Sequence, residues 1–105
     1  MQYILVLVTV SSTGEGRRIA KNLVKKKLAA CVSQVPGMTS IYWWKGKMES
    51  AREDLLIIKT LSTKLLSLIK EVKQTHCYAV PEIIALPIAK GNPDYLSWIK
   101  QSLRN

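Results

Sequence analysis

The stretch YILVLVTV at residues 3–10, followed by SSTGEG at residues 11–16, decides the fold of this chain. The first segment is rich in Val, Ile and Leu with little alternation, which is typical of a β-strand that is covered on both faces and central in its sheet. In the second segment, Ser12 and Glu15 have the spacing of a capping box, where a hydroxyl and a carboxylate each satisfy a free backbone N–H at a helix start. The stretch therefore predicts a strand that leads into a helix.

The predicted helix has one apolar side and one basic side. Its apolar residues recur every three or four positions and form one stripe, which predicts packing onto the sheet. Gly14 and Gly16 stand where a phosphate-binding turn would be, but the third glycine and the downstream acid of a dinucleotide fingerprint are missing, so no nucleotide site is predicted there. The apolar stripe consists of Ile19, Ala20, Leu23, Val24 and Leu28.

A long hairpin is predicted after this helix. Residues 29–44 form its first arm, residues 55–59 lie in its second arm, and Lys45-Gly46 forms the turn between them. Because proline cannot donate to a β-ladder, Pro36 predicts a bulge, bend or edge in the first arm.

The remaining chain predicts a second helix, a fourth strand and a third helix. Ser62 is the predicted N-cap of the second helix, which ends near His76. Residues 82–88 predict the fourth strand. Asn92 and Pro93 predict the N-cap and the first position of the third helix.

This order of elements predicts an α+β fold. Two βαβ-type halves joined by a hairpin give a ferredoxin-like βαββαβ sandwich with a long central hairpin and an extra C-terminal helix, in a single domain spanning residues 1–105. The helices cover only one face of such a sheet, although Val, Ile and Leu recur on both faces of its strands. Identical copies are the simplest cover for the other face, so the sequence predicts an oligomer.

Length and composition set the class of protein. A chain of 105 residues supports one hydrophobic core, and 48% hydrophobic residues exclude disorder. No apolar run approaches the roughly 20 residues that a membrane-spanning helix needs, so no membrane partner is expected. The first strand has no preceding basic residues and no small-residue cleavage site after it, so we expect a cytoplasmic location.

Charge and cysteine content narrow the expected partners. Lys and Arg outnumber Asp and Glu by 16 to 7, which gives a formal charge of +9 and would attract anions at long range. The lysines at positions 21 and 25–27 fall on the polar side of the first helix, and no nucleic-acid motif accompanies them, so nucleic acid is not expected as a partner. Cys31 and Cys77 lack a C-x-x-C companion, which argues against a zinc knuckle or a disulfide framework.

A series of motifs runs along most of the chain. In the first half these are KLAACV at residues 27–32, PG at 36–37, SIYWW at 40–44, GK at 46–47, Glu49 and IIKT at 57–60. In the second half they are His76 with Tyr78, PEIIALP at residues 81–87, GN at 91–92 and Tyr95-Leu96 with Trp98. In order and spacing these motifs closely resemble the CutA family of divalent-cation tolerance proteins.

The resemblance implies more than a fold. It implies a tight homotrimer assembled through the long hairpin, related in architecture to the PII-type signalling proteins, and binding of copper or other divalent cations. The chain departs from the family at Cys77, where the family usually has proline, and at Ser33, where it often has asparagine. The first helix is also unusually basic, and the formal charge of a trimer would be 3 × 9, or +27, which favours anionic partners.

The candidate site combines metal-binding and polar side chains. His76 and Cys77 are a soft donor pair suited to copper, and further donors would come from Cys31, Glu82, Glu49 or a second chain. For His76, a ring bonded to a carbonyl at the end of the helix is the structural alternative. For Cys31, a buried small hydrophobe is the alternative and is the more frequent case.

We expect the site in a cleft between neighbouring protomers, because connecting loops that reach a subunit boundary are common places for ligands. His76, Tyr78 and Glu82 would form it, with Cys31 and Lys59 nearby. Lys59 would pair with Glu82 or Glu49.

The aromatic hairpin is the predicted trimer interface. Tyr42, Trp43 and Trp44 alternate in direction along a strand, so at least one ring must meet solvent or another chain.

Three functions remain open from the sequence. The first is a metal-responsive trimer, the second is a PII-like trimeric sensor of a small anionic ligand at the subunit cleft, and the third is a basic nucleic-acid-binding module. An enzyme is not predicted, because the chain has no Ser-His-Asp set, no metal-hydrolase spacing and no complete phosphate loop.

Overall fold

The computed structural model describes residues 2–104 and has four strands and three helices. A single 3-10 turn at Ser62–Lys64 precedes the second helix. The strands are β1 (Tyr3–Val10), β2 (Cys31–Trp44), β3 (Lys47–Leu61) and β4 (Ile83–Pro87), and the helices are α1 (Thr13–Lys25), α2 (Leu65–Thr75) and α3 (Pro93–Ser102).

The strands form one antiparallel sheet in the order β2-β3-β1-β4. The predicted central position of β1 is confirmed, because β1 is paired on both sides. Val6, for example, lies opposite Ile58 on β3 and Ala85 on β4. This strand order, with α1 and α2 on one face, is the ferredoxin-like α+β arrangement that the sequence predicted.

The main core lies between the sheet and these two helices. Alternate residues of β1 point into it, because successive side chains of a strand face opposite sides of a sheet. The fully buried members include Ile19 and Leu23 of α1 and Leu68 and Val72 of α2. On the sheet side the core contains Ile4, Val6, Val8, Val10, Leu56 and Ile58.

The opposite face of the sheet, the outer face, is only partly covered. At one end α3 packs on it, where Ile99 and Leu103 contact Leu61. Elsewhere apolar side chains stay accessible, with Ile84 51% and Leu86 44% exposed. By their register, the outer face carries Leu5, Leu7, Val35, Leu55, Ile57, Ile84 and Leu86.

The long hairpin is formed by β2 and β3. Its turn residues Lys45 and Gly46 have φ angles of 50° and 78°, the positive values that a two-residue type I′ turn requires. A bulge, bend or edge was predicted at Pro36, and the structure has a register shift between Val35 and Met38. The hairpin extends beyond the sheet-and-helix body, which helps make the chain elongated, at 44 × 25 × 23 Å.

Of the three predicted helix N-caps, Ser12 and Asn92 are confirmed and Ser62 is wrong. The Ser12 hydroxyl accepts from the Glu15 amide as predicted, but the Glu15 carboxylate reaches back to the amide of Ser11 and not of Ser12. Ser62 does not cap α2, because Ser62 is the first residue of the 3-10 turn that precedes this helix. Asn92 caps α3 as predicted, accepting from the Asp94 amide at 3.0 Å.

Within the described residues, no helix is long and apolar enough to cross a membrane.

Candidate functional site

A large cleft lies where the base of the hairpin meets the loop between α2 and β4. Its volume is about 710 Å³. Successive side chains of a strand face opposite sides of the sheet. In the hairpin, Tyr42, Trp44 and Glu53 share the side of this cleft, and Trp43 lies on the opposite side. The lining consists of Thr9, Ser40, Ile41, Tyr42, Trp44, Glu53, Cys77, Tyr78, Ala79, Val80 and Glu82.

A cluster of three potential metal donors borders the cleft. One donor atom from each of Glu15, His76 and Cys77 lies within 4.8 Å of the others. Glu15 and His76 are buried, whereas Cys77 is exposed. The Cys77 thiol lies 3.3 Å from the Ser11 hydroxyl, and the Cys77 amide donates to Glu15 Oε2 at 2.8 Å. The cluster therefore joins the start of α1 to the end of α2.

The hydrogen bonds of His76 define the tautomer of its ring. The Tyr78 amide lies 3.0 Å from Nδ1 and can only donate, so Nδ1 is the acceptor and carries no proton. The proton is then on Nε2, which donates to the Thr9 carbonyl at 2.7 Å. The structural alternative, a ring bonded to a carbonyl at the end of α2, does not occur, because Nε2 binds a carbonyl of β1 instead.

The Glu15 carboxylate is held in its ionised form. Burial acts to raise the pKa of Glu15, but hydrogen bonds from the Ser11 amide and from Cys77 outweigh it and lower the pKa to about 2. His76 Nδ1 lies 3.8 Å from Glu15 Oε2. The cluster thus presents a stable negative charge next to an imidazole and a thiol.

Tyr78 and Glu53 form a second polar pair in the wall of the cleft. The Tyr78 hydroxyl donates to Glu53 Oε2 at 2.9 Å. Burial and this contact with a carboxylate raise the pKa of Tyr78, so the phenol remains protonated. The pair links the loop after α2 to the base of the hairpin and fixes the shape of the cleft.

Cys31 and Lys59 do not join this site within one protomer. Lys59 Nζ donates to Ser33 Oγ at 2.7 Å and lies 3.7 Å from Cys31 Sγ, with all three side chains on the outer face. Lys59 pairs with Leu5 of β1, four residues before the Thr9 that binds His76, a separation of about 13 Å at roughly 3.3 Å per residue. Among residues 2–104, Lys59 forms no ion pair with Glu82 or Glu49 in the single chain.

The other predicted residues are placed around the cleft. Glu82 lines it from the loop before β4. Glu49 lies opposite Tyr42 in the hairpin, beyond the residues that form the lining.

Sequence reasoning missed Glu15 and Glu53 as site residues. Glu15 was interpreted only as a capping residue, and no local signal places it beside Cys77, 62 residues away. Glu53 could have been found, because it precedes Leu55 and Ile57 by even steps and must share their face of the sheet.

The chain matches the family model described as CutA1 divalent ion tolerance protein over residues 4–102. This chain belongs to the CutA1 family. The resemblance read from the sequence motifs is thereby confirmed.

Curated relatives of high identity include a plant protein and a protein of Thermus thermophilus. A chloroplastic CutA 1 protein of Oryza sativa subsp. japonica is 52% identical over 96% of this chain and 57% of its own length. The divalent-cation tolerance protein CutA of Thermus thermophilus is 50% identical over 93% of this chain and 95% of its own length. The chain thus spans somewhat more than half the length of the plant relatives it matches.

Solved CutA1 structures share the whole architecture. The crystal structure of CutA1 from Oryza sativa has a TM-score of 0.96 at 50% identity and covers 99% of this chain and 95% of its own. The CutA1 structure from Thermus thermophilus has a TM-score of 0.94 at 49% identity and covers 95% of this chain and 97% of its own.

The expected cytoplasmic location was wrong. The rice relative and a 50% identical relative from Arabidopsis thaliana are named chloroplastic, and a structure from Archaeoglobus fulgidus is described as periplasmic. A CutA1 domain therefore occurs in more than one compartment, and the features of the first strand do not define which one.

Proposed function

We propose that this CutA1 protein acts as a homotrimer in tolerance of divalent cations and binds copper or another divalent cation at the Glu15, His76 and Cys77 cluster. The convergence of three donor atoms within 4.8 Å carries the metal part of the proposal. The family description of divalent ion tolerance carries the physiological part.

The donor set suits copper. A thiol, an imidazole and a carboxylate are the ligands that copper accepts in proteins. Glu15 is ionised at neutral pH, with its pKa lowered to about 2, and the Cys77 thiol is exposed to the cleft. A bound cation would neutralise the negative charge of this carboxylate.

His76 fits such a site through Nδ1. Its Nε2–H bond to the Thr9 carbonyl is the type of outer contact that orients a metal-binding imidazole. The Nδ1 atom, which faces Glu15, would have to exchange the Tyr78 amide for the ion. We therefore expect metal binding to shift the loop at Tyr78.

The apolar outer face supports the homotrimer. Ile84 and Leu86 on the edge strand β4 and Val35 on β2 are each 44 to 51% exposed, in a row with the half-buried Leu7 and Ile57. Contiguous apolar area of this kind marks subunit contacts. In the proposed trimer, the copies bury this face, and Tyr42, Trp43 and Trp44 of the hairpin contact neighbouring protomers.

The two alternative functions have less support. A small anion is a poor fit for the cleft, because its described lining contains Glu53 and Glu82 and neither lysine nor arginine. Nucleic acid is not proposed, because the lysines of α1 lie on its exposed polar side, as expected of a solvated helix face. We propose no catalytic activity.

Calorimetry on metal-free protein tests the metal site. Cu(II), and Cu(I) under anaerobic conditions, are titrated into the wild type, Cys77→Ser and Glu15→Gln at matched protein concentration. We expect each substitution to weaken binding by about tenfold or more, because each removes one ligand. Cys31→Ser is the matched control, since this thiol lies on the outer face beside Lys59.

Two outcomes would contradict the site. Unchanged copper affinity in both Cys77→Ser and Glu15→Gln would refute the proposed site. Equal losses in Cys31→Ser and Cys77→Ser would mean that copper binds thiols without regard to their position.

A further inference from the structure

The net charge of the protein is concentrated on the two helices that cover its main core. Residues 13–27 and 62–75 contain α1, α2 and their ends, and we call them the helical layer. They include nine Lys and Arg but only two acidic residues, Glu15 and Glu71, so their formal charge is +7. The rest of the chain has seven basic and five acidic residues, and its formal charge is +2. Most of the +9 therefore belongs to the helical layer.

The two acidic residues of the helical layer do not neutralise its surface. Glu15 is 8% exposed and accepts hydrogen bonds from the Ser11 and Cys77 amides. Glu71 of α2 is paired with Lys26, directly after α1, at 3.0 Å. Among residues 2–104, the other basic side chains of the layer have no ion-pair partner. The surface of the layer is therefore basic throughout.

The basic side chains lie on the exposed side of both helices. Arg17, Lys21 and Lys25 form one exposed row along α1, because residues four apart lie on the same side of a helix. Lys70 and Lys73 are exposed on α2. Because the two helices lie side by side, these residues form one continuous basic surface.

Solvation alone does not account for this pattern. A solvated helix face typically carries both signs of charge, and Glu–Lys pairs four residues apart stabilise it. In α1 the pairs at this spacing, Arg17 with Lys21 and Lys21 with Lys25, have like charges and repel each other. An anionic surface in contact with the helices would neutralise this repulsion.

The helical layer stays accessible in the proposed trimer. The two helices cover one face of the sheet, whereas the subunit contacts are proposed on the apolar outer face, which is the opposite one. The exposed side of α1 and α2 therefore points away from those contacts. An inference about this surface depends neither on the trimer nor on the proposed copper site.

Exposed aliphatic side chains distinguish between the possible anionic partners. Leu66 is 82% exposed on α2, and Val24 of α1 is 42% exposed and lines a shallow groove together with Lys21 and Lys25. The two segments contain no Phe, Trp or Tyr, so they offer no ring on which a nucleic-acid base could stack. A lipid surface presents anionic headgroups above apolar chains. Clusters of about four to eight Lys and Arg beside apolar side chains are typical of proteins that bind such a surface.

We propose that the helical layer binds the surface of a membrane that contains anionic phospholipids. The Lys and Arg side chains of both helices contact lipid phosphates, while Leu66 and Val24 lie at the level of the headgroups. Such peripheral contact needs no membrane-spanning helix.

Flotation of the intact, metal-free protein with vesicles tests the proposal. Phosphatidylcholine vesicles that contain about one-third phosphatidylglycerol are compared with vesicles of phosphatidylcholine alone. We expect saturable binding to the anionic vesicles only, weakened by salt because charges carry it. Lys21→Gln/Lys70→Gln, with one substitution on each helix, should weaken binding by about tenfold or more.

A matched double variant separates the helical layer from net charge. Lys45→Asn/Lys100→Gln also removes two positive charges, but from the hairpin turn, where asparagine suits the positive φ, and from α3 on the outer face. This variant should bind the anionic vesicles as the wild type does. Leu66→Ser should weaken binding several-fold without a change in charge. Circular dichroism and sedimentation of each variant confirm that the fold and the assembly are retained.

The proposal is overturned if the wild type does not bind the anionic vesicles or binds vesicles of phosphatidylcholine alone equally well. It is equally overturned if the two double variants lose the same affinity, because net charge and not the helical layer would then control binding. Binding to a DNA duplex that is tighter than binding to the vesicles, and is unchanged in Leu66→Ser, would assign the layer to nucleic acid instead.

Discussion

The His76 imidazole and the Thr9 backbone are joined by a 2.7 Å hydrogen bond that fastens the end of α2 to the central strand β1. The other ring nitrogen accepts from the Tyr78 amide, so one buried side chain satisfies two backbone groups. This arrangement positions the loop that carries Cys77, Tyr78 and Glu82. The imidazole therefore shapes the cleft whether or not it binds a metal ion.

We expect His76→Ala to destabilise the protein by about 2–4 kcal/mol, because the Thr9 carbonyl and the Tyr78 amide lose their partner in a buried setting. Urea unfolding at neutral pH measures the loss. Gln74→Ala, at an exposed position of the same helix, is the control and should change stability by less than about 0.5 kcal/mol. Equal stability of the two variants would contradict the structural role of His76.

The lowered pKa of Glu15 predicts that the protein loses stability in acid. Its pKa is about 2 in the folded chain, below the ordinary value of 4.5, so the folded state binds fewer protons than the unfolded state. Its contribution is fully present above about pH 5 and is lost as the pH falls toward 2. The contribution is on the order of 3 kcal/mol.

Glu15→Gln should therefore lower the free energy of unfolding at pH 7. In this variant the free energy of unfolding should also decrease less steeply between pH 5 and pH 2. Urea unfolding at a series of pH values measures both effects, with Asp94→Asn as a carboxylate control on α3. A pH profile of Glu15→Gln parallel to that of the wild type would show that this carboxylate does not control acid stability.

In the proposed homotrimer the outer face is the subunit interface, so a single charge placed on it should break the assembly. Ile84 is 51% exposed in one protomer, so Ile84→Lys is compatible with the folded chain but would bury an ammonium group between copies. Sedimentation equilibrium at micromolar concentration should find monomers for this variant. Leu66→Lys, at an 82% exposed position on the helical side, should keep the mass of the wild type. A trimeric Ile84→Lys would place the interface elsewhere.

Two neighbouring glycines should respond in opposite directions to alanine. A Cβ atom at Gly16 would lie 2.5 Å from Gln34 Nε2 and 3.0 Å from Val10 Cγ2. Gln34 is held by bonds to Thr13 and Asp54, so it cannot move aside freely, and we expect Gly16→Ala to cost about 1–2 kcal/mol.

A Cβ atom at Gly14 would meet no atom within 4 Å. Gly14→Ala should stabilise the protein by about 0.5 kcal/mol, because alanine loses less backbone entropy in a helix. Thermal and urea unfolding of the two variants test this difference, and a stabilising Gly16→Ala would contradict the close packing of α1 on β2.

The helix N-caps show that sequence patterns predict local contacts but not contacts between distant parts of the chain. Asn92 was predicted correctly as a cap because its signal is local, an acceptor side chain two residues from the amide it binds. Ser62 was predicted incorrectly, although its residue type is equally suitable. The chain there enters a 3-10 turn whose first amide bonds to the Gln2 carbonyl, a partner 60 positions away.

By itself the sequence determined the main elements, their order and an interruption of the strand at Pro36, because hydrophobic period, caps and proline act over a few residues. Its motifs also determined the family. Only the tertiary structure decided the site, because side chains far apart in the chain meet when α2 and the hairpin pack against β1. Glu15 and Cys77 come within hydrogen-bond distance across 62 residues, while Cys31 and Lys59, expected nearby, end on another part of the outer face. A strand's alternation defines which face a side chain occupies, but its neighbours there depend on long-range register and packing.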